Sequence, residues 1–392
     1  MFVHVEGGLI REVSERQLEI RNAVIVDVAG RTLMPGLIDA HVHAYFCDVD
    51  WHKTDRVGEA YRTAHAIRML GHALDCGFTT VRDIGGGDFG LWQAIEDRLV
   101  RAPRFFYAGK MISMTGGHGD TRSINEARQT QGYCSCEGAN ALCVIADGVD
   151  ACVKAAREEL RRGAHCIKIM ASGGVVSPTD PIWMNQYREE EIVAIVGEAR
   201  QRRSYVSAHC HPADAVKRCI KCGVRVIEHG TLMDDETAKI VSDAGAFVVP
   251  TIVIVFAMLE RGERLGLALQ SMEKQKYVAK HIMQGLDSMR RAKVRVGFGT
   301  DLLGETHVQR CREFTLRKEV FTPLEILRQV TSTNAAILQQ DGRLGCVKPG
   351  AAADLLVVDG DPLKDIELLA APGGRNLRVI MRAGEIVKNE LN

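Results

Sequence analysis

Neither sign of charge is in excess in this 392-residue chain, where 50 lysines and arginines balance 50 aspartates and glutamates. Without a basic or acidic surplus there is no electrostatic footprint for nucleic acid or for an anionic membrane surface. Long hydrophobic runs are missing too: none approaches the roughly 20 residues that a spanning helix needs. The opening "MFVHVEGGLIREV" lacks the basic-then-apolar order of a secretory signal. Internal repeats and low-complexity linkers are absent. The 12 cysteines scatter along the chain, several inside apolar runs, so reduced thiols in a cytoplasmic protein are expected over a disulfide framework. Cys134, Cys136 and Cys143 form one cluster that suggests a structural zinc. Its spacing fits no standard pair of CxxC units and no nearby histidine completes it, so loop cysteines are the better reading.

What is present is an alternation. From about residue 37 to residue 301, eight apolar or β-branched stretches recur: "LIDAHVH" (37–43), "TTVRDI" (79–84), "RFFYAGKMI" (104–112), "CIKIMASGG" (166–174), "YVSAHC" (205–210), "VRVIEHG" (224–230), "AFVVPTIVI" (246–254) and "VRVGFGTD" (294–301). Between several of them lie amphipathic patterns such as residues 147–163 and 186–203, and residues 322–340 read as a further helix or two. Eight strands alternating with helices predict a (β/α)8 TIM barrel over residues 35–344, with chemistry at the C-terminal strand ends. Residues 1–34 and 345–392 hold short, glycine-punctuated strands, including "NAVIVDVAGRTLM". They predict a small β-sandwich domain formed by both termini, one that an upstream segment would extend.

The polar residues fall where the barrel would gather them. His41 and His43 close the first strand, Lys168 lies on the fourth, His209 on the fifth, His229 on the sixth, and Asp301 ends the eighth. Residues two apart on a strand share a face, so His41 and His43 point into one mouth. Imidazole and carboxylate suit zinc or a similar divalent ion. Each residue also has a plain structural reading: a lone histidine such as His209 as a hydrogen-bonded core residue, Asp301 as a helix cap. The set outweighs its members. Lys168, flanked by isoleucines, would lose its hydration in a buried strand unless its charge is removed or paired. The other histidines, His118 and His211 apart, read as surface or packing residues.

The chain resembles the amidohydrolase superfamily, in its binuclear branch with a carboxylated lysine. The stretches that carry the resemblance are "MPGLIDAHVH", "IKIMASGG", "SAHCHPADA", "VIEHG", "GFGTD" and "PGAAADLLVVDGDPL", in order along nearly the whole chain. "SMTGGHGD" (113–120), "GGVVSPTDP" (173–181) and "GFGTDLLGE" (297–305) are similar to the Xaa-Pro dipeptidase (prolidase)-like group. Its members cleave dipeptides or N-acyl amino acids to release a C-terminal amino acid, and some relatives hydrolyse ochratoxin-type amides. The resemblance implies that His41, His43 and Asp301 hold the more buried of two divalent metals and that His209 and His229 hold the more exposed one. Lys168, as a carbon dioxide-derived carbamate, bridges both. A metal-bridging hydroxide would attack the amide carbonyl, Asp301 would carry the proton to the departing nitrogen, and His118 would hydrogen-bond the oxyanion. "TGGHGDTR" otherwise reads as a flexible loop; it lacks the lysine and helix start of a phosphate-binding loop.

Arg122 is a candidate bidentate partner for a substrate carboxylate, and a solvent-facing arginine is equally compatible with its position. His211 shares a face with His209 and is a second candidate contact; the prolidase-like group usually has tyrosine there. Residues 120–146 are long and polar enough for a lid over the site. Small amides or dipeptides are the expected partners, with neither nucleic acid nor membrane, in a homo-oligomer. Rival readings are a one-metal deaminase or cyclic-amide hydrolase, which does not need Lys168, a lactonase with the same metal cage, and a non-catalytic relative, which typically loses ligands.

Overall fold

Strands and helices alternate as the hydrophobic periodicity predicts. The computed structural model describes residues 1–122, 142–177 and 180–391. In chain order the strands are β1 (Phe2–Glu6), β2 (Leu9–Ser14), β3 (Thr32–Pro35), β4 (Leu37–Val42), β5 (Phe78–Asp83), β6 (Arg104–Tyr107), β7 (Met111–Ser113) and β8 (Cys143–Ile145). They continue as β9 (Ile167–Met170), β10 (Val206–Pro212), β11 (Val226–Leu232), β12 (Phe247–Val249), β13 (Arg295–Val296), β14 (Leu355–Val358), β15 (Leu377–Arg382) and β16 (Glu385–Asn389).

Parallel pairing runs β4–β5–β6 in one sheet and β13–β12–β11–β10–β9–β7–β8 in another. Main-chain hydrogen bonds join the two at both seams. Ala40 N donates to Phe298 O at 2.9 Å and Asp301 N to His41 O at 2.9 Å, while His165 N donates to Tyr107 O at 2.8 Å across the other seam. The ring β4–β5–β6–β9–β10–β11–β12–β13 is thus a TIM barrel, with β7 and β8 as a short annex beyond the Gly109 bend. Every residue of β4, β5 and β9 is buried, as strands covered on both faces require.

Several of the outer helices bury one stripe. In Val149–Arg161 the buried residues are Cys152, Ala155, Ala156, Glu159 and Leu160, at the spacing of a single helix face. Glu189–Gln201 opens with three glutamates, which suit the positive end of the helix dipole. Within residues 322–340 lies the expected helix, Pro323–Ile337, widened to a π-helical turn at Gln329–Thr333. Asn334 there donates to Ile38 O at 2.6 Å and Phe298 O at 2.8 Å, which staples the seam between β4 and the run after β13.

Some stretches differ from the expectation: "RFFYAGKMI" breaks at Gly109 into β6 and β7, and "VRVGFGTD" is strand only at Arg295–Val296. "AFVVPTIVI" stays a strand only through Val249. Pro250 cannot donate to the ladder, and Ile252–Arg261 is a helix whose Val253 N–H finds Glu313 Oε2 at 2.7 Å. "NAVIVDVAG" forms no strand. Its chain reverses at Asn22 (φ 61°) and Ala29 (φ 48°), and Val24 and Ile25 stand 89% and 84% exposed without a strand to pair with.

Both termini meet in an antiparallel sheet ordered β16–β15–β14–β3. The β1–β2 hairpin packs on it through a small core containing Ile10, Ala351, Ala353 and Leu355. The hairpin turns Gly7-Gly8 and Ala383-Gly384 have positive φ at both central residues, the turn form that matches the strand twist. All ten described cysteines are free thiols, Cys143 among them. Cys134, Cys136 and most of the proposed lid at 120–146 lie outside the described residues. No helix among the described residues is long and apolar enough to cross a membrane.

Candidate metal centre

His41 and His43 leave the end of β4 side by side, each with Nδ1 committed. His41 Nδ1 lies 2.7 Å from Glu228 Oε2, and His43 Nδ1 lies 3.2 Å from the carbonyl of Gly85. A ring that donates through Nδ1 presents a bare lone pair at Nε2. The two Nε2 atoms stand 3.3 Å apart, and Asp301 Oδ1 lies 3.3 Å from one and 3.2 Å from the other. Two lone pairs and a carboxylate oxygen at that spacing repel one another unless positive charge sits among them. Donors about 2.0–2.1 Å from a tetrahedral ion stand about 3.4 Å apart, close to the spacing seen. Among the described residues this is the group of His, Cys, Asp and Glu with three ligand atoms mutually within 4.8 Å.

The surrounding charges are consistent with that demand. Burial pushes the Asp301 carboxyl up, but the neighbouring His41 and His43 outweigh it and hold it well below the carboxylate range. Burial disfavours the cation at His41, yet the Asp301 and Glu228 carboxylates raise its proton affinity overall. Burial is also the largest influence on His209, His211 and His229, and it keeps all three neutral, His211 down to about 3. Neutral imidazoles have lone pairs to offer a metal.

His209 and His229 adjoin the first group, with ring centroids 4.6 Å apart and His229 5.0 Å from His41. Without a further donor they do not close a second set of three. Lys168, on the neighbouring strand with Ser207 opposite it, is 1% exposed. Among the described residues its amine makes no hydrogen bond or ion pair. Burial lowers its proton affinity, against the pull of Glu228 and Asp301. A buried, partnerless amine beside imidazoles and a carboxylate fits a carbamate, one oxygen of which would supply the donor that the second group lacks.

Beneath the mouth, a layer of buried charge orients these groups. Glu228 bonds His41, Ser207 Oγ and, at 2.6 Å, Arg82 Nη2, while Arg82 Nε holds Ala40 O at 2.6 Å. Such a carboxylate–histidine pair fixes the tautomer and raises the basicity of the ring. Thr251 Oγ1 lies 2.8 Å from His229 Nδ1, and Thr231 Oγ1 lies 2.8 Å from His211 Nδ1. Asp301 is steadied from behind: Thr300 N and Oγ1 donate to Asp39 at 3.1 and 2.7 Å, and Arg310 pairs with the same carboxylate. Both His229 (φ 70°) and Asp301 (φ 55°) take left-handed backbone conformations, which turn these side chains at the strand ends.

On the far side of the mouth, His118 stacks on His209 with centroids 4.3 Å apart and meets Trp51 at 5.0 Å. Its Nδ1 lies 2.5 Å from Ser177 Oγ and 3.4 Å from Asp180 Oδ2. Ser177 in turn donates to Asp180. Burial works against charge on Asp180, but the bonds from His118, Ser177 and Gly174 N keep it ionised. The loop carrying these groups needs both glycines of "SGG". A Cβ at Gly173 would lie 1.9 Å from Pro181 O, and one at Gly174 would lie 2.2 Å from His118 Cε1.

The structure therefore brings His41, His43, Asp301, Lys168, His209, His229, His211 and His118 to one end of the barrel. Arg122 has its Nε on Asp120 at 2.7 Å and its Nη2 on the same carboxylate, so that fork is already occupied. Sequence reasoning missed Glu228, Arg82, Asp39, Ser177, Asp180, Thr231 and Thr251. Arg82 carried a signal: it is a charged residue in an apolar strand, the same oddity that marks Lys168.

A sequence profile of the amidohydrolase family matches residues 32–387. Ochratoxinase of Aspergillus niger is 31% identical over 370 residues, which make up 91% of this chain and 75% of that protein. A crystal structure described as an amidohydrolase superposes with a TM-score of 0.97 at 43% identity, covering 100% of this chain and 94% of that one. A prolidase complexed with N-methylphosphonate-L-proline superposes with a TM-score of 0.95 at 42% identity, covering 99% and 94%. With a match of that extent laid over a barrel and a His-His-Asp group, this chain belongs to the amidohydrolase family and is a hydrolase of amide bonds.

Proposed function

We propose that the chain hydrolyses the amide bond of a dipeptide or N-acyl amino acid with two divalent metals and releases the C-terminal amino acid. The observation that carries this reading is the approach of His41 Nε2, His43 Nε2 and Asp301 Oδ1 to within 3.3 Å of one another at the mouth. These three residues would hold one ion, His209 and His229 the other, and Lys168 as its carbamate would bridge them. Zinc suits the donor set. When bound, the metals supply Lewis acidity and an activated water near neutral pH.

The protein's own groups then position, hold and move protons. Asp301 accepts a proton at its carboxylate and passes it to the departing nitrogen. His118 Nδ1 donates towards Ser177 and Asp180, so Nε2 donates to a developing oxyanion only when the ring is doubly protonated. The Asp180 carboxylate compensates that charge. His211, packed against both His209 and His229, contacts the substrate. Arg122 would have to share its fork with Asp120 to reach a carboxylate.

Support for an amino-acid leaving group comes from two similar structures: the prolidase complexed with N-methylphosphonate-L-proline and a Xaa-Pro dipeptidase with methionine bound in its active site. The test is a library of dipeptides and N-acyl amino acids offered to the metal-loaded protein, read by release of the C-terminal amino acid. Turnover of several members is expected. No turnover by protein shown to hold both metals would sink the substrate class, and hydrolysis of lactones or cyclic amides instead would replace it.

A further inference from the structure

Lys274 projects from the helix Leu269–Arg291, outside the strand ends that supply the candidate ligands, and reaches into the loop after β9. Its Nζ donates to three main-chain carbonyls: Gly174 O at 3.0 Å, Ser177 O at 2.7 Å and Asp180 O at 2.6 Å. An ammonium has three N–H donors, so the set is filled. Ser271 Oγ donates to Val176 O at 3.0 Å, and Gln275 Nε2 donates to Val255 O at 2.9 Å. Positions 271, 274 and 275 share one face of the helix. That face binds the loop on one side and the helix following Thr251 on the other.

The clamped residues are the ones that serve His118. Gly174 backs its ring, Ser177 Oγ lies 2.5 Å from its Nδ1, and Asp180 Oδ2 lies 3.4 Å from the same atom. We propose that Lys274 is a positioning residue for hydrolysis: by gathering three carbonyls of one loop, it fixes Ser177 and Asp180, and through them the orientation of His118. The proposal rests on the role given to His118 above. Neutralising Lys274 would leave three carbonyls without their donor and let the loop relax away from the ring. The donors at His41, His43 and Asp301 are not touched by this lysine, so binding of the ion they would hold is spared.

The test compares Lys274→Met and Lys274→Arg with the wild type, alone and on a His118→Ala background. K274M should lower kcat by about tenfold or more, with KM within about threefold and bound metal unchanged. Arginine should recover part of the loss. In the His118→Ala background, K274M should change kcat by less than about twofold, since the residue it positions is gone. Amides of residues 172–177 should exchange with deuterium faster in K274M. A kcat within about twofold of wild type would overturn the proposal, as would an undiminished loss in the His118→Ala background. Should K274M not fold, Ser271→Ala removes the weaker clamp and should show a smaller kcat loss with the same dependence on His118. Should the metal-loaded wild type turn over no dipeptide or N-acyl amino acid, the proposed substrate class fails on that result alone. Hydrogen exchange then decides the clamp, and an unchanged rate at residues 172–177 refutes it.

Discussion

Gly174→Ala adds one methyl group where the structure leaves no room for it. The new Cβ would lie 2.2 Å from Cε1 of His118 and 2.4 Å from each ring nitrogen. An ordinary contact starts near 3.4 Å, so ring or loop must move by about 3.4 − 2.2 = 1.2 Å. The ring has neighbours of its own to displace, with His209 stacked on it at 4.3 Å and Trp51 at 5.0 Å. Gly174 is not among the residues with left-handed φ, so alanine adds no backbone strain and the perturbation is steric. A displacement of about 1 Å at a reacting group lowers rate by about 100-fold, and overpacking costs about 1–3 kcal/mol of stability. The assay measures kcat/KM on the best amide of the library, with metal content and a denaturation midpoint on the same samples. Gly197→Ala is the control. It meets nothing within 4 Å on the exposed face of Glu189–Gln201, and should raise stability by up to about 1 kcal/mol without changing rate. A G174A enzyme that keeps its rate within about threefold while losing the expected stability would refute a chemical role for His118.

Glu228→Gln should weaken metal binding by about 10–100-fold through His41 and destabilise the fold by about 3–5 kcal/mol, because buried Arg82 loses its charge partner. Metal titration and urea unfolding check the two effects separately. Lys168→Ala should lose metal and activity together, and a short carboxylic acid added to the buffer should restore part of both. Chelation should abolish turnover and lower the thermal midpoint, and added zinc should reverse both changes. The midpoint should rise with free metal, reaching about 2.7 kcal/mol of added stability at 100 times the Kd.

The eight barrel strands and the terminal sheet were legible because their hydrophobic periods are strong and their punctuation regular. The histidines, Lys168 and Asp301 were legible because each is a polar residue in or just after one such apolar stretch. What escaped are partnerships made only when the barrel closes. Glu228 meets His41 across 187 residues and Arg82 across 146, and nothing local in "VIEHG" announces either. Asp180 and Ser177 serve His118 from 62 and 59 residues away, through a loop whose shape depends on Gly173 and Gly174. "TIVIV" misled because β-branched residues suit a strand by propensity, while Pro250 and the carboxylate of Glu313 impose a helix start. "AVIVDV" misled for the opposite reason: propensity for strand without a neighbour to pair with.

His229 and Asp301 sit in a backbone region that side-chain-bearing residues avoid, at a price of about 1–3 kcal/mol each. Glycine or asparagine would occupy either position with less strain. The fold therefore carries two positions where improvement in ruggedness and loss of chemistry coincide. A population of this gene drifting under selection for heat resistance, with no demand for turnover, would be drawn towards substitutions at those two sites, and its hardiest descendants would be the ones that no longer cut.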